Sequence, residues 1–594
     1  AASIYGSQAA NGVVLVTTKR GKAGKTKVTL NYYKGIANPI KKLNVLNTQE
    51  WIGLRTDNLI NAGTAAETAR TSILQTLRVI RVPNQPNPFN LPVAVSDADI
   101  AALPTFDWQD AVYKQGKTDN YELSLNGGSE KTRFFISGSY YTQSANIINI
   151  DFLRGTLNTT LTHQINDKLS IDQTLKLSTI QSNGQFGGPG GGSFLGAAAF
   201  SSPLVLPSVP IFNTDGSYYG PPSQGGIPGI LNQNIVQVSE LNTITSNTNQ
   251  FVGSLALNYT PIKDLVIRPF VSIDYRNIKG KQFNDPRTAD GFNVRGRLQE
   301  QRNDNANFLT NLTANYNKSL SSKHNIGVLL GLEYRTDVNE NVGTNATNVP
   351  TPNFKYSSAA ALPENIFGTW TGYRKGSVFG NFKYNFDRRF DVSLIGRLDG
   401  SSRFGANNRF GFFPSVSAAW LISEESFLKG NQVLNDLKLR ASFGTTGNDQ
   451  LGSLFGAANF PGLSLVSPNF NYNNAAGFAP SQLANPDLKW ETNETFNLGL
   501  DFGLLTNRIT GSLDVFQRTS KDLLLGFNLP FTNGYGTISR NAGEVRNRGI
   551  ELEINTVNVR SGQFQWRTAF NITALDNKIT KLYPGINPLQ NPDS

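Results

Sequence analysis

Cysteine and methionine are both missing from this 594-residue chain. No disulfide framework, thiolate chemistry or cysteine zinc site is therefore available to it. With no initiator methionine, the chain is expected to be a fragment or processed piece of a longer protein. Charge is scarce, at 16% of residues, and apolar residues make up only 38%. A chain poor in both is rich in Asn, Ser, Thr and Gly. That suits neither a charged cytosolic surface nor, given 37 Phe and 19 Tyr, a disordered tail. The net charge of +11 comes from scattered cations, in blocks no longer than pairs such as Lys19-Arg20 and Arg388-Arg389. This lacks the clustered footprint of a nucleic-acid binder. No apolar run approaches the ~18–20 residues of a spanning helix, and no signal peptide is visible. Neither absence excludes a membrane, because a spanning β-strand needs only ~9–11 residues of alternating polarity.

Alternation is what the chain does have. Phe251, Leu255, Leu257 and Tyr259 share one side of a strand, and Val271, Ile273 and Tyr275 one side of the next, with Ser272 and Asp274 opposite. The pattern returns at Val378–Phe386 and Phe390–Leu394, and again at Phe496–Phe502 and Ile509–Val515. It predicts about 17 strands, starting near residues 27, 119, 131, 152, 168, 250, 264, 306, 325, 377, 389, 412, 437, 492, 507, 546 and 564. One set of connections is tight, as at Asn166-Asp167 and Asp387-Arg388. The other is mostly long, at 36–116, 181–248, 276–304, 336–375 and 445–490. Short turns on one rim and long loops on the other mark an all-β outer-membrane barrel of antiparallel strands. A soluble β-sandwich would alternate too, but gives aromatics no reason to gather at strand ends. Tyr259, Tyr275, Trp420, Trp490 and Trp566 are expected there, as a girdle.

The opening stretch differs. Val13, Val14, Leu15 and Val16 are apolar on both faces, which predicts a strand buried on both sides. Before it, residues 7–11 predict a helical turn, with Gly12 at its left-handed stop. "SIYGSQAANGVVLVTTKRGK", 3–22, resembles the end of the plug domain in TonB-dependent outer-membrane transporters, through Tyr5, Gly6, Asn11 and Gly12. "RLDGSSRFGANNRFGFFPSVSAAWLISEESFL" (397–428), "LKLRASFGTTGN" (437–448), the stretch from Asn485 to Leu524 and "NAGEVRNRGIELEI" (541–554) are similar to the SusC/RagA-type branch of Bacteroidota. The family often has Arg where this chain has Gln8. The resemblance implies residues 1–24 as the C-terminal end of a plug and 25–594 as the barrel, with about 17 of an expected 22 strands and the closing strands missing. It implies TonB-dependent import of oligosaccharides or oligopeptides. A SusD-like surface lipoprotein would be the outside partner, and the TonB-ExbB-ExbD system would act through the missing N-terminal part. A passive porin and a surface adhesin or receptor are the alternatives.

No catalytic set, metal cluster or cofactor motif emerges. His163 and His324 lack i, i+4 partners and read as solvated turn residues. "GGPGGGS", 187–193, lacks the Gly-Lys-Ser/Thr ending of a phosphate loop and reads as an extracellular loop. The substrate-binding candidates are Tyr218, Tyr219, Trp370 and Tyr373, loop rings able to stack on sugars or peptide side chains. Trp370 and Tyr373 fit an outer-interface anchor equally well. Asp399 and Arg403 complete the set; they reach a ligand or, the favoured reading, pair with each other and the backbone to fix a tight loop.

Overall fold

The computed structural model describes the chain apart from residues 1, 11, 17, 77–94, 185–197, 225, 228–232, 451–458, 469, 474 and 583–594. The glycine-rich stretch 187–193 and Asn11 lie outside the described residues. In chain order the strands are β1 (Gly24–Ala37), β2 (Gly116–Gly128), β3 (Thr132–Ser144), β4 (Asp151–Asn166), β5 (Leu169–Asn183), β6 (Thr243–Ile262), β7 (Leu265–Asn284), β8 (Arg297–Ser319), β9 (His324–Thr347), β10 (Leu362–Phe386), β11 (Phe390–Ser401), β12 (Phe410–Leu421), β13 (Leu434–Asn448), β14 (Leu465–Pro468), β15 (Phe478–Leu483), β16 (Glu491–Leu504), β17 (Ile509–Lys521), β18 (Leu524–Asn528), β19 (Thr537–Asn541), β20 (Glu544–Ser561) and β21 (Phe564–Lys581). All but β14, β15, β18 and β19 join one 17-stranded sheet in which each strand pairs antiparallel with the next. β1 and β21 do not pair with each other, so the sheet is not closed. β14, β15, β19 and β18 make a small separate sheet.

The alternation becomes two surfaces. Leu332, Val378, Leu398 and Phe412 are cross-strand neighbours on one face, and all are exposed. Gly331, Phe379, Arg397 and Phe413 lie on the other; the rings and the guanidinium there are buried. Apolar side chains open to the outside and polar ones turned inward are the arrangement of a transmembrane barrel, since hydrocarbon replaces water outside. At the short-turn rim, Phe386, Phe390 and Trp420 stack at 6.0–6.5 Å, and Trp420 Nε1 donates to Glu425 at 3.1 Å. Short turns place this rim on the periplasmic side. Asp387 and Arg388 turn there with both φ positive, as in a type I′ turn, and the Arg389 amide donates to the Phe386 carbonyl at 2.9 Å. His324 joins this belt rather than a solvated turn, sharing a 2.7 Å hydrogen bond with the Tyr384 hydroxyl. His163 lies within β4, half-buried, 2.8 Å from Thr132 Oγ1. Trp490 leaves the expected girdle. It is buried with Phe404 and Phe413 at the opposite rim, its indole donating to the Arg409 carbonyl.

Two expected long loops are mostly strand. β9 and β10 run for 24 and 25 residues. At ~3.3 Å per residue such a hairpin far exceeds a ~25 Å apolar band, so its upper half stands outside the membrane. In the upper half of β9, Asn339, Asn341 and Asn345 stand among Glu340, Gly343 and Thr344, so the apolar contrast that marks a strand is weak there. A large apolar core also lies outside the barrel. Ile52, Ile73, Trp108, Val209, Ile235 and Val238 from the 38–115 and 184–242 connections pack together, and the Trp108 indole donates to the Val209 carbonyl at 2.9 Å.

A helical turn does form, but earlier than expected: Ala2–Ala9 is 3-10 helical on either side of a kink at Gly6, and Gly12, φ +101°, donates to the Ala9 carbonyl. The two-faced strand does not. Residues 12–16 form no strand, and Val14 and Leu15 are 90% and 76% exposed. A strand buried on both faces needs a sheet to carry it and layers packed over each face, and no described strand pairs with residues 12–16.

Candidate functional site

The inner wall of β9 to β13 grips the N-terminal segment. Arg397 projects inward from β11 and is 3% exposed. Its Nε donates to Asp399 at 2.7 Å, and its Nη2 to Glu333 and Ser377 at 2.9 Å each. Its Nη1 donates to the Ile4 carbonyl at 2.9 Å, and the guanidinium lies 4.9 Å from the Phe379 ring centre. The planar fork allows one cation to serve two carboxylates and a main-chain oxygen together. Gly6 stands directly against that guanidinium at φ +67°. A Cβ there would collide with Arg397, and the backbone conformation already favours glycine.

One strand away, Lys375 Nζ donates to Asp449 at 2.6 Å and to the Ser7 hydroxyl at 3.0 Å. Asp449, fully buried at the end of β13, also accepts from Ser401 at 3.0 Å and pairs with Arg403 at 3.3 Å. Arg403 donates through Nε and Nη2 to Asn459 at 2.9 and 2.8 Å and sits 3.9 Å over the Tyr373 ring. Farther round, Arg518 of β17 donates to the Ala10 carbonyl and, at 3.1 Å, to Asn493. Buried charges persist only when paired and hydrogen-bonded, and these cations meet that condition partly through residues 4–10. A cavity of about 630 Å³ remains between residues 4–14 and the wall, lined by Glu333, Arg335, Lys375, Arg397 and Asp399.

The structure separates the sequence-predicted residues. Tyr5 and Gly12 line that cavity, and Gly6 abuts Arg397. Asp399 and Arg403 are both buried but do not pair with each other: Asp399 takes Arg397, and Arg403 takes Asp449. Alternation explains this, since Asp399 faces inward beside Arg397 while Arg403 lies in the following loop. Trp370 and Tyr373 are strand residues of β10, three apart, and therefore face opposite ways. Trp370 is 60% exposed on the outer face, its ring 6.3 Å from that of Phe460, whereas Tyr373 points inward beneath Arg403. Tyr219 belongs to the apolar core outside the barrel, at 5% exposure, and offers no open ring. Tyr218 packs on Phe212 and donates its hydroxyl to Glu240; burial, then that hydrogen bond, pushes the phenol up to about 12. Both tyrosines build the loop. Sequence reasoning missed Arg397, Lys375, Glu333, Asp449 and Arg518 as site residues. Arg397 and Asp399, two apart on the inward side of a strand, were the one local signal.

The comparisons with known proteins fit this architecture. Residues 207–593 match the family model for the TonB dependent receptor-like β-barrel. TonB-dependent receptor P39 of Formosa agariphila is 30% identical over 586 residues, 98% of this chain and 52% of that protein. TonB-dependent receptor SusC of Bacteroides thetaiotaomicron is 28% identical over 619 residues, 98% of this chain and 56% of that protein. The chain thus spans about half the length of these curated relatives. Among solved structures, the RagAB peptide transporter superposes with a TM-score of 0.81 at 24% identity, covering 99% of this chain and 65% of that one. The RagAB peptide importer in its open-open state gives 0.82, also at 24% identity, covering 99% and 64%. The chain belongs to the TonB-dependent receptors, in their SusC/RagA branch, and is an outer-membrane β-barrel.

Proposed function

We propose that the whole protein is an active importer of the outer membrane, energised through TonB, in which residues 1–24 end a plug and residues 25–594 supply barrel wall. The observation that supports this most is the grip of Arg397, Lys375 and Arg518 on Ile4, Ser7 and Ala10. A passive porin needs no internal segment held across its lumen, and an adhesin needs no lumen at all. Three cations from separate strands meeting one short N-terminal turn fit an occluding element that is held until it is pulled. The cargo is an oligosaccharide or oligopeptide, and a SusD-like surface lipoprotein covers the long loops on the outside. The TonB-ExbB-ExbD system acts from the periplasm on the part of the plug preceding this chain.

The test is made in native membranes. The full-length protein, solubilised and purified by a tag, is examined for a co-purifying lipoprotein and retained glycan or peptide. Uptake of the retained compound is then measured in cells with and without a protonophore. The expected outcome is a stoichiometric lipoprotein and uptake that collapses with the proton gradient. Recovery of a lone, freely conducting channel, or uptake indifferent to the gradient, refutes the importer.

A further inference from the structure

The inner wall carries a second constellation, on β7 to β10, away from the ion-paired residues. Parity fixes its direction. Leu309 and Asn311 of β8 and Glu333 and Arg335 of β9 line the cavity around residues 4–14, so they face the lumen. The β8–β9 ladder runs without a register shift, so odd-numbered residues of both strands face the same way along its length. Above the cavity most of those positions are amides, with Asp337, Gly343, Thr347 and Arg297 the others. Asn303 and Asn339 exchange side-chain hydrogen bonds at 3.2 and 3.1 Å, Gln301 donates to Asn341 at 2.9 Å, and Asn307 to Asp337 at 2.9 Å.

At the extracellular end the stripe widens. Gln282, Gln299, Asn345 and Asn365 are successive cross-strand neighbours, four carboxamides side by side on four strands. Of these, Gln299, Asn345 and Asn365 make no side-chain hydrogen bond to the described residues, whereas Gln282 donates to Asn284 at 3.1 Å. In the row below, Gln301 stands between Gly280 and Gly343. The missing side chains leave a hollow, and the Phe367 ring lies over Gly343 so closely that a Cβ there would strike it. The result is a cavity of about 170 Å³ lined by Gln282, Gln299, Gln301, Asn345 and Phe367. Lys281 and Glu300 border it but pair with each other at 3.6 Å.

We propose that this hollow is a contact site for one ring of a neutral, hydroxyl-rich chain entering the lumen, and that the amide stripe beneath it is the wall along which that chain descends. The inference rests on the importer reading and narrows its cargo to an uncharged oligosaccharide. A carboxamide both donates and accepts, which matches a hydroxyl in either role. An aromatic ring complements the apolar face of a sugar. The volume lies below the ~300 Å³ of a pocket for a whole drug-sized ligand, which suits one unit of a longer chain. An acidic chain would find no unpaired cation in the hollow. Ligand-free amides that bond one another sideways keep spare lone pairs and protons for a passing chain, without the full desolvation cost of an unpaired buried group.

The test uses the full-length transporter in detergent against an array of neutral, uronate-bearing and sulfated oligosaccharides, with capped Ser-Gly peptides beside them. Two variants accompany the parent protein: Gln299→Ala/Asn345→Ala, which removes the two free carboxamides that line the hollow, and Gly280→Leu, which fills it. The expected result is retention of a neutral oligosaccharide by the parent protein. Affinity falls about tenfold in the first variant, as for loss of one to two net hydrogen bonds, and binding is lost in the second, with the melting temperature unchanged in both. Parent-level binding by both variants, no neutral oligosaccharide retained by the parent protein, or preferential retention of the acidic or peptide probes overturns the assignment. Energy-dependent uptake by cells keeps the two readings apart. Uptake that is gradient-driven but identical in both variants removes the site and leaves the importer. Binding that the variants abolish, with no gradient-driven uptake, upholds the site and removes the importer.

Discussion

Among single residues Arg397 bears the largest energetic responsibility, because it is buried while neutralising Asp399 and Glu333 and holding the Ile4 carbonyl. Replacing it strands Asp399 without a counter-charge. Removing one partner of a buried pair costs about 3–5 kcal/mol, so Arg397→Ala is expected to lower the unfolding free energy of the full-length protein by that order in a denaturant titration. Arg397→Lys restores the charge but not the fork, and should recover only part of it. A loss below about 1 kcal/mol, the range of an exposed pair, would show that the site is wet and the charges independent. The sequence displayed Arg397 only as one more inward polar residue. Two of its partners, Glu333 and Ile4, lie 64 and 393 residues away, and nothing local in the chain names those two. Asp399 and Arg403 were visible as a pair because they are close in sequence, which is the wrong distance to trust once alternation turns neighbours apart.

At the scale of the element, what was legible was contrast. Within the apolar band a Phe/Leu/Val row alternates with Ser, Asn and Arg, and the expected strand starts fall near observed strands throughout the 17-stranded sheet. Above the band the contrast is gone: Asn303, Asn305 and Asn307 alternate with Asp304 and Ala306, and the strand continues unseen into what reads as loop. The opening Val13–Val16 run failed for the opposite reason, since its apolar content describes neighbours that this chain does not pair with it. The contrast that did work has a measurable consequence. Leu394 lies on the outer face beside Phe382 and Val416, and Ser393 on the inner face, donating to Asn381 at 2.8 Å. Leu394→Arg is expected to cost about 2–4 kcal/mol on folding into lipid vesicles, as for a cation facing the bilayer midplane, and Ser393→Arg well under half of that. Equal costs at the two positions would mean that both faces meet the same medium.

For the whole molecule, the inner surface is divided by chemistry. β10, β11 and β17 present the cations Lys375, Arg397 and Arg518, whose hydrogen bonds hold residues 4–10. The upper lumen-facing positions of β8 and β9 present amides that bond one another and Asp337 and make no contact with the N-terminal segment. If the first wall keeps the lumen occluded and the second meets cargo, damage to each should give a different failure. Lys375→Ala combined with Gly6→Ala removes a clamp on Ser7 and forces a side chain against Arg397, at a φ that disfavours any side chain. In planar bilayers the full-length protein with these two changes is expected to show open-channel conductance, and cells carrying it to become sensitive to large antibiotics that the outer membrane normally excludes. Gln299→Ala/Asn345→Ala should leave both readouts at the parent level, because neither residue touches the N-terminal segment. Leak from both variants, or from neither, would mean that occlusion is shared around the whole circumference. The N-terminal turn would then be one contact among many rather than the place where the pore is held shut.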